Sequence, residues 1–466
     1  MDFRKHTVAD LAESVREGEV SARELTTAAL QRIDHLDGEL GAFVALDPEG
    51  ALDDAAAVDE RVAAGDPVGP LVDLVGIKDL DDVAGFVTTH GSPIHEDDPP
   101  AARDSILVGR LRAAGCVVVG KTNTPEFGHR ADTTNPVFGA TRNPWDVSRS
   151  PGGSSGGTGA ALASGMVPLA TGSDGGGSIR IPSAVCGFTA IKTCLGRVPA
   201  GGPTPPNWHD LSVKGPMTRR IRDAALALDA VVGPEPTDLA SLPRPAEPWF
   251  PQLHEPQPLT RVAWSPTLGY ARVDTEIRQV CEDAVRALEA TGVEVVEVEG
   301  VWDEDPVGVW LTLAASYNRR SIEDHRDTDL WDRFDPLLTA AVDFASAGVG
   351  PMELIAAQEA AHRYNVALQA VLAEVDVLLC PTVVGQTPRS GEQGTVDGEP
   401  LENWVGLTYG FNLTRSPAGS VRAGFTADGM PVGLQVVGGQ HDDLGVLRTL
   451  AVLEDLLGID PVAPVG

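Results

Sequence analysis

A chain of 466 residues, 42% hydrophobic and 22% charged, is long enough to bury a large core, and length alone allows two or three domains. Asp and Glu outnumber Lys and Arg by 67 to 35, a formal net charge of -32, and the acids are dispersed. A field of that sign repels nucleic acid and anionic membranes, so a soluble protein with a well-solvated surface is expected, with neither as a partner.

The first residues carry no apolar run behind their basic side chains, and no run of 18 apolar residues occurs, so neither a signal peptide nor a membrane-spanning helix is expected. Five cysteines (Cys116, Cys186, Cys194, Cys281 and Cys380) are odd in number, widely spread and without a CxxC pair. Reduced, buried thiols in a cytoplasmic protein are expected, with no metal and no cofactor. Residues 7–37 place Leu11, Val15, Leu25, Ala28, Leu30 and Ile33 at helical spacing, and Ser21 with Glu24 forms a capping box. A strand over 42–46 and a helix over 48–64 complete an N-terminal helical cover, residues 1–65.

Residues 71–78 (LVDLVGIK) read as a buried strand that ends on a lysine. A helix over 105–114, a strand over 116–120, an Ala-rich helix over 158–165 and strands over 167–171 and 189–192 follow. An amphipathic helix over 219–232 leads into a Pro-rich linker. Beyond it come a strand from 261, a helix over 274–290, a strand over 293–298, a largely helical region over 307–370 and a strand over 375–380. Residues 385–402 read as a loop, and 424–437 as a hairpin turning at Asp428-Gly429. Strands alternating with helices argue for an α/β layered fold.

The chemistry concentrates between Asn143 and Arg197. Two glycine-serine runs stand there, Gly152-Gly153-Ser154-Ser155-Gly156-Gly157 and Gly175-Gly176-Gly177-Ser178. Glycine lets backbone approach a ligand, and serine supplies a hydroxyl that attacks or relays a proton. Neither run fits a phosphate-binding fingerprint. Gly152 to Gly156 formally spells GxSxG, but polar residues precede it where a strand-to-helix elbow needs an apolar strand. Nothing in the sequence links His90, His95, His129 or His209 to a serine. A lysine base is the third option. Lys78 ends an apolar strand, where desolvation disfavours the ammonium and makes a neutral amine available. Taken alone, a strand-end lysine reaching out to solvent is the plainer reading.

Lys78, the first run, and Gly175 to Ser183 (GGGSIRIPS) together resemble the amidase signature family. Lys121 to Gly128, Arg142 to Asp146, Gly215 to Arg219 and Pro431 to Gln435 are similar to family sequence as well, so the resemblance runs nearly end to end. It implies one domain over residues 1–466, with the signature core at 66–230 and the rest of the sheet and substrate-facing helices at 231–466. The implied fold is α/β, a central mixed β-sheet covered on both faces by α-helices. The implied catalytic residues are Lys78, Ser154 in a cis peptide, and Ser178 as nucleophile. Ser154 would sit between Ser178 and Lys78 as a proton relay, and the N–H groups of Gly175, Gly176, Gly177 and Ser178 would bind the oxyanion. Asp174 and Arg180 flank the nucleophile as an internal ion pair, with Ser155 and Ser173 as supporting hydrogen-bond groups.

Gly175 departs from the family, which often has a larger residue there; a wider acyl site or a looser loop is expected. Arg422 stands where a proline is usual, and Arg415 and Arg422 read as surface arginines or unusual support. Phe127 and Gly128 are candidate pocket walls, and Trp208, Tyr317, Trp331 and Phe334 a candidate aromatic rim. The expected activity is hydrolysis of a small amide, anilide, ester or carbamate by a monomer or homodimer. The alternative is the glutaminase subunit of a tRNA-dependent amidotransferase, whose usual Ser-Ser-Asn-Leu-Ala-Arg segment is not evident in Ala314 to Asp335.

Overall fold

A computed structural model describes residues 1–255 and 257–465. It begins with α1 (Val8–Arg16) and α2 (Ala22–Leu40). The expected capping box starts α2: the Ser21 hydroxyl accepts from the Glu24 N–H at 3.1 Å, and the Glu24 carboxylate accepts from the Ser21 N–H at 2.9 Å. There follow β1 (Phe43–Leu46), α3 (Pro48–Ala64), β2 (Leu74–Lys78), α4 (Ile106–Ala113) and β3 (Val117–Thr122). A short ladder of β4 (Thr134–Asn135) and β5 (Gly139–Ala140) precedes α5 (Gly156–Ala163), β6 (Leu169–Asp174), α6 (Arg180–Cys186), β7 (Ala190–Lys192), β8 (Val213–Thr218) and α7 (Ile221–Val231).

The second half supplies β9 (Arg261–Trp264), α8 (Thr275–Glu289), β10 (Glu294–Glu297), α9 (Val307–Ile322), α10 (Pro336–Gly348), α11 (Pro351–Leu372) and β11 (Val377–Pro381). Then come β12 (Gly394–Val396), β13 (Glu399–Leu401), α12 (Gly410–Leu413), β14 (Ala418–Phe425), β15 (Pro431–Val437) and α13 (Asp443–Leu457). Among the described residues, no single helix is long and apolar enough to cross a membrane.

The strands form two main sheets, a five-stranded one in the order β1-β3-β2-β6-β8 and a six-stranded one in the order β10-β9-β11-β15-β14-β7. β2 lies parallel to both β3 and β6, β8 runs antiparallel beside β6, and β14 and β15 form the expected hairpin. Alternate residues along each strand enter different cores, as a period of two requires. Val75, Ile77, Val118 and Leu169 join one core, shared with Val262, Leu379 and Leu434 of the other sheet and packed on α4, α7, α8 and α13. Leu74, Val117, Val119 and Ala170 point the other way, into a core with α1, α2, α3 and α5. On the six-stranded sheet Ala263, Leu378 and Cys380 face α9 and α11. The fold is therefore α/β, mixed sheets with helices on both faces.

α6 and β8 are among the elements that were not legible in the sequence. α6 carries Pro182 in a seven-residue helix, and β8 carries Gly215 and Pro216, so propensity hides both. The expected loop at 385–402 contains the β12–β13 hairpin, turning at Asp397-Gly398, the same Asp-Gly signal that marks the later hairpin. All five cysteine thiols are free and buried.

Candidate active site

β2 is buried along its whole length between β3 and β6, so its last side chain has no path to solvent. Lys78 is 0% exposed. Its Nζ lies 2.7 Å from Ser154 Oγ, 2.9 Å from Ser155 Oγ and 3.0 Å from Ser173 Oγ. Among the described residues, three hydroxyls and no carboxylate meet the amine. Burial pulls the Lys78 ammonium down to about 7, against the opposing pull of Asp81 and Asp174. The side chain that reads in isolation as a lysine reaching for solvent is thus a buried amine that loses its proton near neutral pH.

The first glycine run brings Ser154 to that amine. The Gly153–Ser154 peptide is cis. Thr133 braces the run from both ends: its hydroxyl donates to the Gly152 carbonyl at 2.8 Å and accepts from the Gly156 N–H at 3.1 Å. Backbone of residues 130–132 lies against Gly153, where a Cβ would stand 2.7 Å from the Arg130 carbonyl oxygen. α5 departs immediately beyond, at Gly156.

The second run leaves the end of β6. Asp174 and Arg180 are both 0% exposed and form a two-point ion pair, Nε to Oδ2 at 3.0 Å and the terminal nitrogen to Oδ1 at 2.8 Å. Burial by itself would raise the Asp174 carboxyl, but the Arg180 guanidinium more than offsets it and holds it well below the usual carboxylate range. Arg180 also donates to Gln435 Oε1, Asn412 Oδ1 and the Thr408 carbonyl, which ties the run to α12 and β15. Asp174 in turn accepts the Gly177 N–H at 2.8 Å and the Ile179 N–H at 3.1 Å. This corrects one expectation: the Gly177 N–H is turned back to Asp174 rather than out to a ligand. Ser178 is half-buried, and among the described residues its hydroxyl makes no hydrogen bond, so the Ser154–Ser178 link is not closed in this state.

Ser178, Gly176, Gly153 and Gly128 line one cavity of about 700 Å³. That size suits a small organic molecule. Its walls are mostly apolar: Ile181, Trp208, Trp310, Leu311, Ala314 and Ala315 on one side, Leu337, Ala341 and Phe344 of α10, and Trp404 and Val405. Of the four expected substrate contacts, Gly128 is in the wall. The other three are corrected. Phe127 stacks on His90 at 5.7 Å and packs with Ile322 and Phe334. Tyr317 stands behind Trp208, stacked at 6.4 Å. Trp331 packs on Phe334 and under the Arg326 guanidinium.

From the expected aromatic rim, Trp208 lines the cavity and the buried Phe334 does not. Trp310, Trp404 and Tyr409 were missed. The available signal was the repeat of Trp310 and Ala314 at helical spacing on α9, a stripe too short to distinguish from core packing. Gly175 neither widens the site nor loosens the loop, because the Trp208 ring fills the space a side chain there would take. Arg415 is exposed, beside Asp210. Arg422 is not a surface residue. It is 3% exposed and donates to the carbonyls of Asp460 and Pro461, which ties β14 to the C-terminal segment.

Comparison with known proteins agrees with this geometry. The sequence profile of the Amidase family matches residues 24–447. An acylamidase of Rhodococcus erythropolis is 36% identical over 96% of this chain and 94% of its own. A glutamyl-tRNA(Gln) amidotransferase subunit from Desulforapulum autotrophicum is 33% identical over 96% of both chains. The crystal structure of a bacterial aryl acylamidase of the amidase signature enzymes superposes with a TM-score of 0.91 at 29% identity, over 97% of this chain and 96% of that one. Profile, relatives and fold agree over nearly the whole length: the chain belongs to the amidase signature family and is an amide hydrolase.

Proposed function

We propose that this chain cleaves a carbon–nitrogen amide bond through an acyl-enzyme on Ser178, with Ser154 as relay and Lys78 as base. The observation that carries the reading is the 2.7 Å contact between Ser154 Oγ and a buried Lys78 amine that titrates at about 7. A base with that pKa is half neutral at neutral pH and able to take a proton.

Ser178 Oγ attacks the carbonyl carbon, its proton passes to Ser154, and the Ser154 proton passes to Lys78 Nζ. The carbonyl oxygen becomes an oxyanion held by backbone N–H groups of the second glycine run. A fixed donor of this kind is worth about 3 kcal/mol in other acyl-transfer enzymes. When the C–N bond breaks, the proton returns through Ser154 to the leaving nitrogen. Water then gives its proton to the same relay, attacks the ester and releases the acid, which restores the Ser178 hydroxyl.

The substrate is a small, mainly apolar amide or anilide, with esters and carbamates as related acyl donors. Its support is the apolar wall of the cavity. The arginine in that wall, Arg130, is already paired with Asp335 at 2.9 Å and Asp132 at 2.8 Å. A glutaminase has to hold the charged α-carboxylate of glutamine, so this pairing favours the stand-alone amidase over the amidotransferase subunit. The test is a fluorophosphonate label with peptide mapping, together with Ser178→Ala assayed on aliphatic amides, anilides, esters, carbamates and glutamine. The expected result is an adduct on Ser178, loss of all turnover in the variant, and preference for neutral amides. An adduct elsewhere, or turnover surviving Ser178→Ala, overturns the mechanism, and a clear preference for glutamine overturns the substrate class.

A further inference from the structure

The carbonyls that open the second glycine run are held from outside the run. Asn412 Nδ2 donates to the Asp174 carbonyl at 2.8 Å, Trp310 Nε1 to the Gly175 carbonyl at 2.8 Å, and the Thr408 hydroxyl to the Gly176 carbonyl at 2.6 Å. In a trans peptide the C=O and the following N–H lie in one plane and point in opposite directions. A donor that fixes the Gly175 carbonyl therefore aims the Gly176 N–H the opposite way. Gly176 is half-buried and in the cavity wall with Ser178, while the next N–H, of Gly177, is spent on Asp174.

Trp310 is itself fixed. It sits in the first turn of α9, stacks on Tyr409 at 5.7 Å and meets the edge of Trp208 at 5.9 Å. The Tyr409 hydroxyl is bound to Asp305, whose carboxylate also accepts the Val307 N–H at 2.9 Å at the start of the helix. The indole lies so close to the run that a Cβ on Gly176 would stand 2.5 Å from its Cζ2. A loop of three glycines has wide conformational freedom, and that freedom has to be removed for its N–H groups to stay aimed.

We infer that Trp310 is a positioning residue of the reaction: through its indole N–H on the Gly175 carbonyl, it aims the Gly176 N–H at the carbonyl oxygen of the substrate. This rests on the reading of the second glycine run, without the Gly177 N–H, as the oxyanion cradle. The same ring lines the cavity, so it has a second capacity, as a wall that binds the ground state. The two capacities separate in kinetics. A wall residue changes KM, whereas a group that aims an oxyanion donor changes kcat and the affinity for tetrahedral adducts.

The test uses Trp310→Phe, and replacement of Trp310 by 3-benzothienylalanine, which keeps the bicyclic ring and removes only the N–H. Measured are kcat and KM on the best amide found, inhibition by an aryl boronic acid that adds to Ser178, and the unfolding midpoint. Both variants are expected to lose kcat by about 10- to 100-fold, the range that misplacement near 1 Å produces. KM is expected to stay within about threefold, and boronate affinity to fall with kcat. The benzothienyl variant is expected to keep the unfolding midpoint. Unchanged kcat and boronate affinity, with or without a raised KM, overturns the inference and leaves Trp310 a wall. If the fluorophosphonate does not label Ser178 in the unmodified enzyme, the cradle reading fails first. Normal labelling with an unaltered kcat in the benzothienyl variant overturns this inference alone.

Discussion

The ring of Trp208 occupies the space above Gly175: a Cβ built on Gly175 would lie 2.7 Å from Trp208 Cε3. The glycine and the tryptophan therefore form one packing unit. Gly175→Ile is expected to cost about tenfold or more in kcat, because overpacking displaces the loop rather than the buried ring. Trp208→Ala leaves a hole, and the double variant Gly175→Ile/Trp208→Ala is expected to recover most of the loss, the mark of directly coupled sites. Strictly additive kcat losses in the double-variant cycle would sink the pairing.

Burial lowers the amine of Lys78, the proposed base, to about 7. A base of this kind accepts a proton only in its neutral form, so the proposal predicts that kcat/KM rises with pH through about 7 and levels off above it. Lys78→Ala is expected to lose on the order of 10³-fold and, with it, that limb of the profile. The measurement is kcat/KM between about pH 5.5 and 9, and a profile that stays flat across neutrality excludes Lys78 as the titrating base.

The Asp174–Arg180 pair is fully buried and holds the second run from beneath. Arg180→Leu strands a buried carboxylate and is expected to cost about 3–5 kcal/mol of stability and to abolish activity with it. The Asp174 carboxyl is held below its ordinary 3.8, so the stabilisation is present above that value and is lost as the pH falls through the lower native one. Denaturant unfolding at pH 7 checks the first part. A midpoint equal to that of the parent protein would show the pair to be dispensable.

Gly153 is pressed against backbone, with a would-be Cβ 2.7 Å from the Arg130 carbonyl oxygen and 2.8 Å from the Asp132 nitrogen. Backbone cannot swing aside as a side chain does. Gly153→Ala is therefore expected to shift Ser154 from Lys78 and to lower kcat by about 10²-fold, with slower fluorophosphonate labelling of Ser178. Near-parental labelling would mean that the run tolerates the methyl group.

What could be read from the residues was what is written locally. The box of Ser21 and Glu24, the hairpin turn at Asp428-Gly429 and the strand that ends on Lys78 depend on neighbours a few positions away, and the folded chain has them where expected. The two glycine-serine runs, with Lys78, were enough to resemble one family, and the Lys78–Ser154 contact joins residues that motif already pairs. The cavity wall was not legible. Trp310, Phe344 and Trp404 come from segments far apart in the chain, and each of them in its own segment looks like any core aromatic. Phe127, Tyr317 and Trp331 looked equally suitable and pack elsewhere.

The same limit applies within the second glycine run. Its composition determined that backbone N–H groups would be free to converge, since glycine removes the side chains that obstruct them. Asp174, three residues away, takes the Gly177 N–H, whereas the carbonyls of Asp174, Gly175 and Gly176 are held by Asn412, Trp310 and Thr408, partners from α9 and the α12 region that only the tertiary packing brings to the end of β6. Conformational freedom is a property of the local chain, whereas its removal requires contacts across the fold, so the sequence by itself determined which hydroxyls, amine and glycines are present, and the tertiary structure determined how they are held together.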